Sequence, residues 1–130
     1  MKRHQVVRAL SVATGVALCL IGFRFLLQPE VAATFFGIDR RAPGFSAHAA
    51  IALRDLWVGA LLLALTALED WRAVALWLGF GALVCFGDAT IAAVSSGRWL
   101  SITFHVASGV FCAALAAAAW QLARRRRPAA

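Results

Sequence analysis

The stretch IALRDLWVGA, residues Ile51–Ala60, decides the fold because it places two adjacent charges, Arg54 and Asp55, inside a long apolar run. A run of about 20 apolar residues can cross a bilayer as a helix. An ionisable side chain at that depth costs at least about 2.5–3.5 kcal/mol, so it faces protein rather than lipid. The stretch therefore predicts a membrane helix inside a bundle whose other helices supply partners for the two charges.

The composition of the chain also indicates one membrane domain. The chain has 130 residues, 62% of them hydrophobic, and a mean hydropathy of +0.79, whereas soluble domains contain about 45–50% apolar residues. The net charge of +7 comes from basic residues concentrated at the two ends, where lipid headgroups are the usual counter-ions of a membrane protein. We therefore predict membrane lipids as partners and no nucleic acid.

Four apolar runs predict an all-α, four-helix transmembrane bundle. The single domain covers residues 1–130, with spans at about 8–27, 47–68, 73–95 and 100–122. The first run is longer than the apolar region of a signal peptide, so we expect it to be retained. The three cysteines lie in three different runs and form no CxxC pair, so we expect small buried hydrophobes rather than a redox or zinc site.

A short helix is predicted between the first two spans. Pro29 and Glu30 are typical of a first helical turn, and Gly37 is typical of a helix end. We expect this helix, from Pro29 to Phe36, to lie at the membrane interface with Phe35 and Phe36 against it.

Counting basic residues predicts the topology. Four spans place both termini on one side, with eight Lys and Arg residues there and three on the other. The eight are Lys2, Arg3, Arg8, Arg72 and Arg124–Arg127, and the three are Arg40, Arg41 and Arg98. By the positive-inside rule both termini are cytoplasmic, and we predict a bacterial inner membrane.

Ionisable residues from all four spans are predicted to meet in the outer half of the bilayer. A helical rise of about 1.5 Å per residue places Arg24 about 5 Å, His105 about 8 Å, and Arg54, Asp55 and Asp88 about 10–12 Å below the outer boundary. The two arginines and two aspartates cancel in charge if His105 is neutral.

Helical spacing places Asp55, Asp88 and His105 on three faces of small and polar residues, which favour close packing inside a bundle. The three faces are His48, Ala52, Asp55 and Gly59; Gly81, Cys85, Asp88 and Ala92; and Ser101, His105, Ser108, Gly109 and Cys112. A further face of small residues, Ser11, Gly15 and Cys19, predicts close packing of the first span, and Arg24 lies off that face, near enough to the end of the span to reach the interface. Arg54 and Asp55 point about 100° apart, so we expect each to pair with another helix.

Three roles for this polar set stay open at the sequence level. Buried ion pairs Arg54–Asp88 and Arg24–Asp55 would fix which helices are neighbours. A pocket would bind a small lipophilic ligand by its polar head. The ligand-binding candidates are Arg54, Asp55, Asp88, His105, Arg24 and Ser101. A metal site made from His48, Asp55, Asp88 and His105 lacks recognised ligand spacing, so we expect no metal and no cofactor.

The order of these residues is similar to that in a family of small four-helix integral membrane proteins of bacteria and fungi that carry a domain of unknown function. The likeness covers nearly the whole chain. It rests on Arg24–Leu27 followed by Pro29 and Phe36-Gly37, Arg54-Asp55 followed by Gly59, Asp88, and His105. The resemblance implies a four-helix membrane bundle and no activity.

The sequence favours an uncharacterised four-span protein that binds a small amphipathic molecule or lipid head in its outer half. An alternative is a membrane-embedded enzyme of the isomerase or cyclase type, with Asp88 or Asp55 as general acid and His105 as base. A third is a structural or partner subunit, including a homo-oligomer. Ion pairing explains the carboxylates but leaves His105 without a structural role, so whether the protein is an enzyme stays open.

Overall fold

A computed structural model describes residues 3–38 and 45–125 of the chain. Its helices, in chain order, are α1 (Arg3–Leu27), α2 (Pro29–Phe36), α3 (Phe45–Ala67), α4 (Trp71–Ser95) and α5 (Trp99–Arg125). All but α2 are long and apolar enough to cross a membrane. The described part of the chain is therefore the predicted all-α, four-helix transmembrane bundle with a short additional helix. Arg40 and Arg41, and Lys2, Arg126 and Arg127 at the ends, fall outside the described residues, so the charge count across the bilayer stays a prediction.

The ends of α2 follow from its sequence. Pro29 occupies the start of the helix, and Glu30 lies in the first turn. Gly37 ends the helix in the left-handed conformation, at φ 98°, which glycine adopts without steric cost. The backbone N–H groups of Gly37 and Ile38 both donate to the carbonyl of Ala33, at 3.0 and 2.9 Å. The predicted short helix is confirmed at both ends.

The long helices pack as two antiparallel pairs, α1 with α3 and α4 with α5. Between α1 and α3 the two backbones nearly touch, because a Cβ atom built on Gly59 would lie only 2.7 Å from the carbonyl oxygen of Gly15. Between α4 and α5 the ring of Phe86 lies directly over Gly109. Small residues thus permit the close approach that drives helix association in lipid.

An apolar core joins the two pairs at the end of the bundle where α1 begins and α5 ends, which we call the terminal end. It contains one buried residue of α1, one of α3, and rows from α4 and α5. Its members are Val7, Leu62, Trp71, Val74, Ala75, Leu78, Ala82, Cys112, Leu115, Ala119, Leu122 and Ala123. All four long helices are therefore in contact with one another at this end.

At the opposite end, which we call the α2 end, the short helix α2 packs against the long helices. A smaller cluster there comprises Phe25, Ala32, Ala33, Phe36 and Ala52. Phe36 was expected at the interface, but it is buried, with its ring centroid 4.5 Å from that of His105. Gly37 contributes to the difference, because the absence of a Cβ atom there lets the end of α2 approach Ala92 of α4 and Ser101 of α5 closely. Phe35 is 58% exposed, as a residue at the interface would be.

Candidate functional site

Arg54 on α3 lies between two carboxylates. Its Nε is 2.9 Å from Oδ1 of Asp55, the next residue along the same helix, and its Nη2 is 3.6 Å from Oδ2 of Asp88 on α4. The side chains of Asp55 and Asp88 are 6% and 11% exposed, whereas that of Arg54 is 39% exposed. We call these three residues the Arg54 triad.

The triad contains the predicted contact between Arg54 and Asp88, although 3.6 Å is an ion-pair distance rather than a hydrogen bond. The prediction that the adjacent Arg54 and Asp55 would not pair is wrong. Their Cβ atoms do point about 100° apart, but the arginine side chain is long enough for its Nε to reach the neighbouring carboxylate.

The formal charge of the triad is unbalanced, with two acids and one base. Arg24 was expected to supply the second positive charge through a pair with Asp55, but that pair does not form. Instead Arg24 is exposed near the end of α1, and its guanidinium carbon lies 6.0 Å from the centroid of the Phe35 ring. Its depth in the bilayer predicted that Arg24 would lie near the triad. Arg24 is not on the face of α1 that contains Ser11, Gly15 and Cys19, however, and its side chain extends toward Phe35 instead.

Two side chains of α5 and that of Arg98, the residue just before it, donate hydrogen bonds to three consecutive carbonyl groups at the end of α2. Arg98 Nη1 bonds to Thr34 O at 3.1 Å, Ser101 Oγ to Phe35 O at 2.8 Å, and His105 Nε2 to Phe36 O at 2.9 Å. The last carbonyls of a helix lack partners within it, and positions 98, 101 and 105 follow the spacing of one helical face. We call Arg98, Ser101 and His105 the α2 clamp.

The clamp gives His105 the structural role that sequence analysis did not find. Because a carbonyl oxygen can only accept, Nε2 of His105 carries the proton of this bond. The ring is buried and packs edge to face against the ring of Phe36. His105 therefore holds the end of α2 against α5.

The other candidates from the sequence lie away from the triad. Ser101 belongs to the clamp, and the ring of His48 stacks on Phe25 at 6.3 Å between centroids. Sequence analysis missed Arg98 as a clamp residue. The signal that could have found it is the spacing of three hydrogen-bond donors, 98, 101 and 105, along the first turns of a span.

The α2 end also has a surface cavity of about 380 Å³, separate from the triad. Its lining residues come from the end of α1, from α2 and from the residue just before α5. They are Arg24, Glu30, Val31, Thr34, Phe35 and Arg98. The structure thus divides the predicted polar set into three neighbouring parts, the triad, the clamp and this cavity.

Comparison with known proteins identifies a family without assigning an activity. A family model described as "Domain of unknown function (DUF4267)" matches residues 15–119. The matched range contains the triad, α2 and the α2 clamp. Searches of the curated proteins and of the solved structures gave no match.

Proposed function

This integral membrane chain belongs to the DUF4267 family, and we propose that it binds the polar head of a small amphipathic molecule at the Arg54 triad. The observation that carries the proposal is a buried pair of aspartates that share one partly exposed arginine. The two aspartates determine which charge the head of the ligand can carry, and the exposed arginine indicates from which side the ligand enters the bundle.

The charge of the triad favours a head that donates hydrogen bonds or carries a positive charge. A buried charge without a partner is strongly unfavourable, so the second carboxylate requires a donor. Arg54 already contacts both acids, and among the described residues no second Lys or Arg pairs with either of them. A hydroxyl or ammonium group of a ligand would supply what the protein does not.

The exposure of Arg54 favours entry from the side of the bundle. Protein covers most of Asp55 and Asp88 but leaves 39% of the Arg54 side chain uncovered. In a span of the bilayer an uncovered guanidinium needs a polar neighbour. A hydroxyl head would meet that need, because its oxygen accepts from Arg54 while its O–H donates to the second carboxylate, and the tail would lie among the lipids.

Two competing functions receive less support. A purely structural ion pair requires one acid for Arg54, so it leaves the second aspartate unexplained. An acid–base enzyme was suggested by a His105 without a structural role, whereas its Nε2–H donates to the carbonyl of Phe36; the base would have to be Nδ1. Ligand binding accounts for the second aspartate and does not require His105 to act as a base.

Native mass spectrometry of the detergent-extracted protein tests the proposal. The informative variant is Asp88→Asn, which removes the surplus charge but keeps the Arg54–Asp55 pair, so the bundle should remain folded. We expect the wild type to carry a bound small molecule and the variant to lose it by about tenfold, the effect of one charge-assisted hydrogen bond.

The matched control is Asp70→Asn, at an exposed aspartate that caps α4. Asparagine caps helices as well as aspartate does, so this variant also loses a carboxylate but should keep its ligand. Equal retention by Asp88→Asn and wild type, or a wild type that carries no small molecule, would contradict the proposal.

A further inference from the structure

The cavity at the α2 end has the size and the lining of a ligand site, and it shares no residue with the Arg54 triad. Its volume of about 380 Å³ lies within the range of about 300–1,000 Å³ that is usual for small-molecule sites. Polar and apolar groups line it together, with Val31 and Phe35 beside Arg24, Glu30, Thr34 and Arg98. An inference from this cavity is therefore independent of the function proposed for the triad.

Two arginines lie beside adjacent residues of α2. The guanidinium of Arg24 lies over the ring of Phe35, and that of Arg98 donates through Nη1 to the carbonyl of Thr34. Neither forms an ion pair with a carboxylate in the described parts of the chain. Each guanidinium thus keeps N–H donors that can bind an oxyanion.

A carboxylate completes the lining. Glu30 stands one helical turn before Thr34 on α2, and across residues 3–38 and 45–125 its carboxylate has no ion-pair partner. The hydroxyl of Thr34 is turned to the Glu30 backbone carbonyl, at 2.8 Å. One cavity therefore presents two positive charges and one negative charge to whatever occupies it.

We propose that this cavity binds the headgroup of an amine-bearing phospholipid of the phosphatidylethanolamine class. The phosphodiester would accept hydrogen bonds from Arg24 and Arg98, because guanidinium groups match phosphate geometry. The ammonium group, two carbons away from the phosphate oxygen, would pair with Glu30. Such a headgroup carries both of the charges that the lining complements.

The surroundings of the cavity favour a lipid over a soluble phosphoester. Phe35 and Phe104 pack edge to face, with ring centroids 5.5 Å apart, and both rings are more than two-fifths exposed. Val31, which lines the cavity, is 49% exposed, and Trp99, the residue after Arg98, is 69% exposed. Aromatic residues at the ends of spans lie at the headgroup level, and this surface would contact the acyl chains.

Lipid titration of the purified full-length protein in detergent, read by native mass spectrometry, tests the proposal. The probes are dioleoyl phosphatidylethanolamine, dioleoyl phosphatidylglycerol, which lacks the amine, and soluble glycerophosphoethanolamine. The wild type should bind the ethanolamine lipid best and the soluble head much more weakly. Equal binding of the two lipids, or binding of the soluble head as tight as that of the lipid, would overturn the assignment.

The Arg24→Gln variant should weaken the binding of both lipids by about tenfold, because each loses a charge-assisted contact with the phosphate. Arg24 is the better choice for this test because Arg98 also holds the end of α2. The control, Arg125→Gln, removes an exposed arginine at the terminal end and should bind both lipids as the wild type does. An Arg24→Gln variant that binds like its control would overturn the proposal.

The Glu30→Gln variant tests the contact between the ammonium group of the lipid and Glu30 separately from the contacts of the phosphate. It should lose affinity for the ethanolamine lipid by about tenfold and keep its affinity for the glycerol lipid. An equal loss for both lipids, or none for either, would overturn the proposal even if Arg24→Gln cannot be extracted in a folded form. Asp88→Asn should leave all three titrations unchanged, so a failure at the triad and a failure at the cavity can be told apart.

Discussion

The two ends of the bundle are held together by different forces. At the terminal end, fully buried apolar side chains such as Leu62, Val74 and Leu78 join all four long helices. At the α2 end a smaller apolar cluster is supplemented by hydrogen bonds from α5 and by the charges of the Arg54 triad. Apolar packing serves only to hold helices together, whereas polar groups in a membrane are costly and usually serve a purpose. The terminal end therefore supports the fold, and the α2 end is where we propose that ligands bind.

The largest effect that would test this contrast is expected from Arg54→Gln. It leaves two buried carboxylates without a cation, which usually costs about 3–5 kcal/mol, and the partial exposure of Arg54 favours the lower value, about 3 kcal/mol. Unfolding in detergent measures the loss. Adding Asp88→Asn should recover part of it, whereas strict additivity of the two changes would show that their side chains do not interact.

Leu78→Ala tests the terminal end. Leu78 is fully buried in the apolar core, and such truncations cost about 2–5 kcal/mol. We expect about 2 kcal/mol here, because helices in a membrane are held by packing rather than by removal from water. The amount of ligand bound per folded molecule should not change. A folded Leu78→Ala protein without ligand would mean that the two ends are not separate in function.

His105→Ala tests the clamp with a smaller change. It removes the bond to the carbonyl of Phe36 and should cost about 1 kcal/mol. Hydrogen exchange of the α2 amides should become faster, while exchange in the part of α4 at the terminal end stays the same. Ser108→Ala, on the same face of α5 but outside the clamp, is the control. Unchanged exchange in α2 after His105→Ala would show that the clamp does not hold this helix.

The smallest effect is expected from Thr66→Val at the terminal end. Thr66 is fully buried, and its hydroxyl has no hydrogen-bond partner among the residues that the structure describes. Replacing an unsatisfied buried hydroxyl by a methyl group of similar size should stabilise the fold by up to about 1 kcal/mol. A clear loss of stability in the same unfolding assay would reveal a polar contact at an end that we describe as apolar.

The features of the fold that depend on local sequence could be predicted. Apolar runs predicted four long helices, and Pro29 and Gly37 predicted α2, because both signals act over a few residues. The contact between Arg54 and Asp88 was one of the predicted alternatives, since a similar depth places both residues in one layer of the bilayer. These predictions need only the regular geometry of a helix.

The rest depends on contacts between distant parts of the chain and on flexible side chains. The bond between His105 and the carbonyl of Phe36 joins residues 69 positions apart, and it requires that α2 enter the bundle rather than lie on its surface. No periodic pattern shows this. Arg24 and Arg54 were misjudged for another reason, because a long arginine can reach several partners from one backbone position.

The α2 clamp also bears on the order in which the protein is assembled. Helices α1 and α3 pair along their glycine contact, and both precede α5 in the chain, so they are synthesised first. The carbonyls at the end of α2 can bond to Ser101 and His105 only after α5 has been synthesised. Chains of several elements form their local pairs first and their long-range contacts later. Assembly of the α2 end therefore coincides with completion of the bundle, so a chain that stops before α5 would insert its first spans but never form this end.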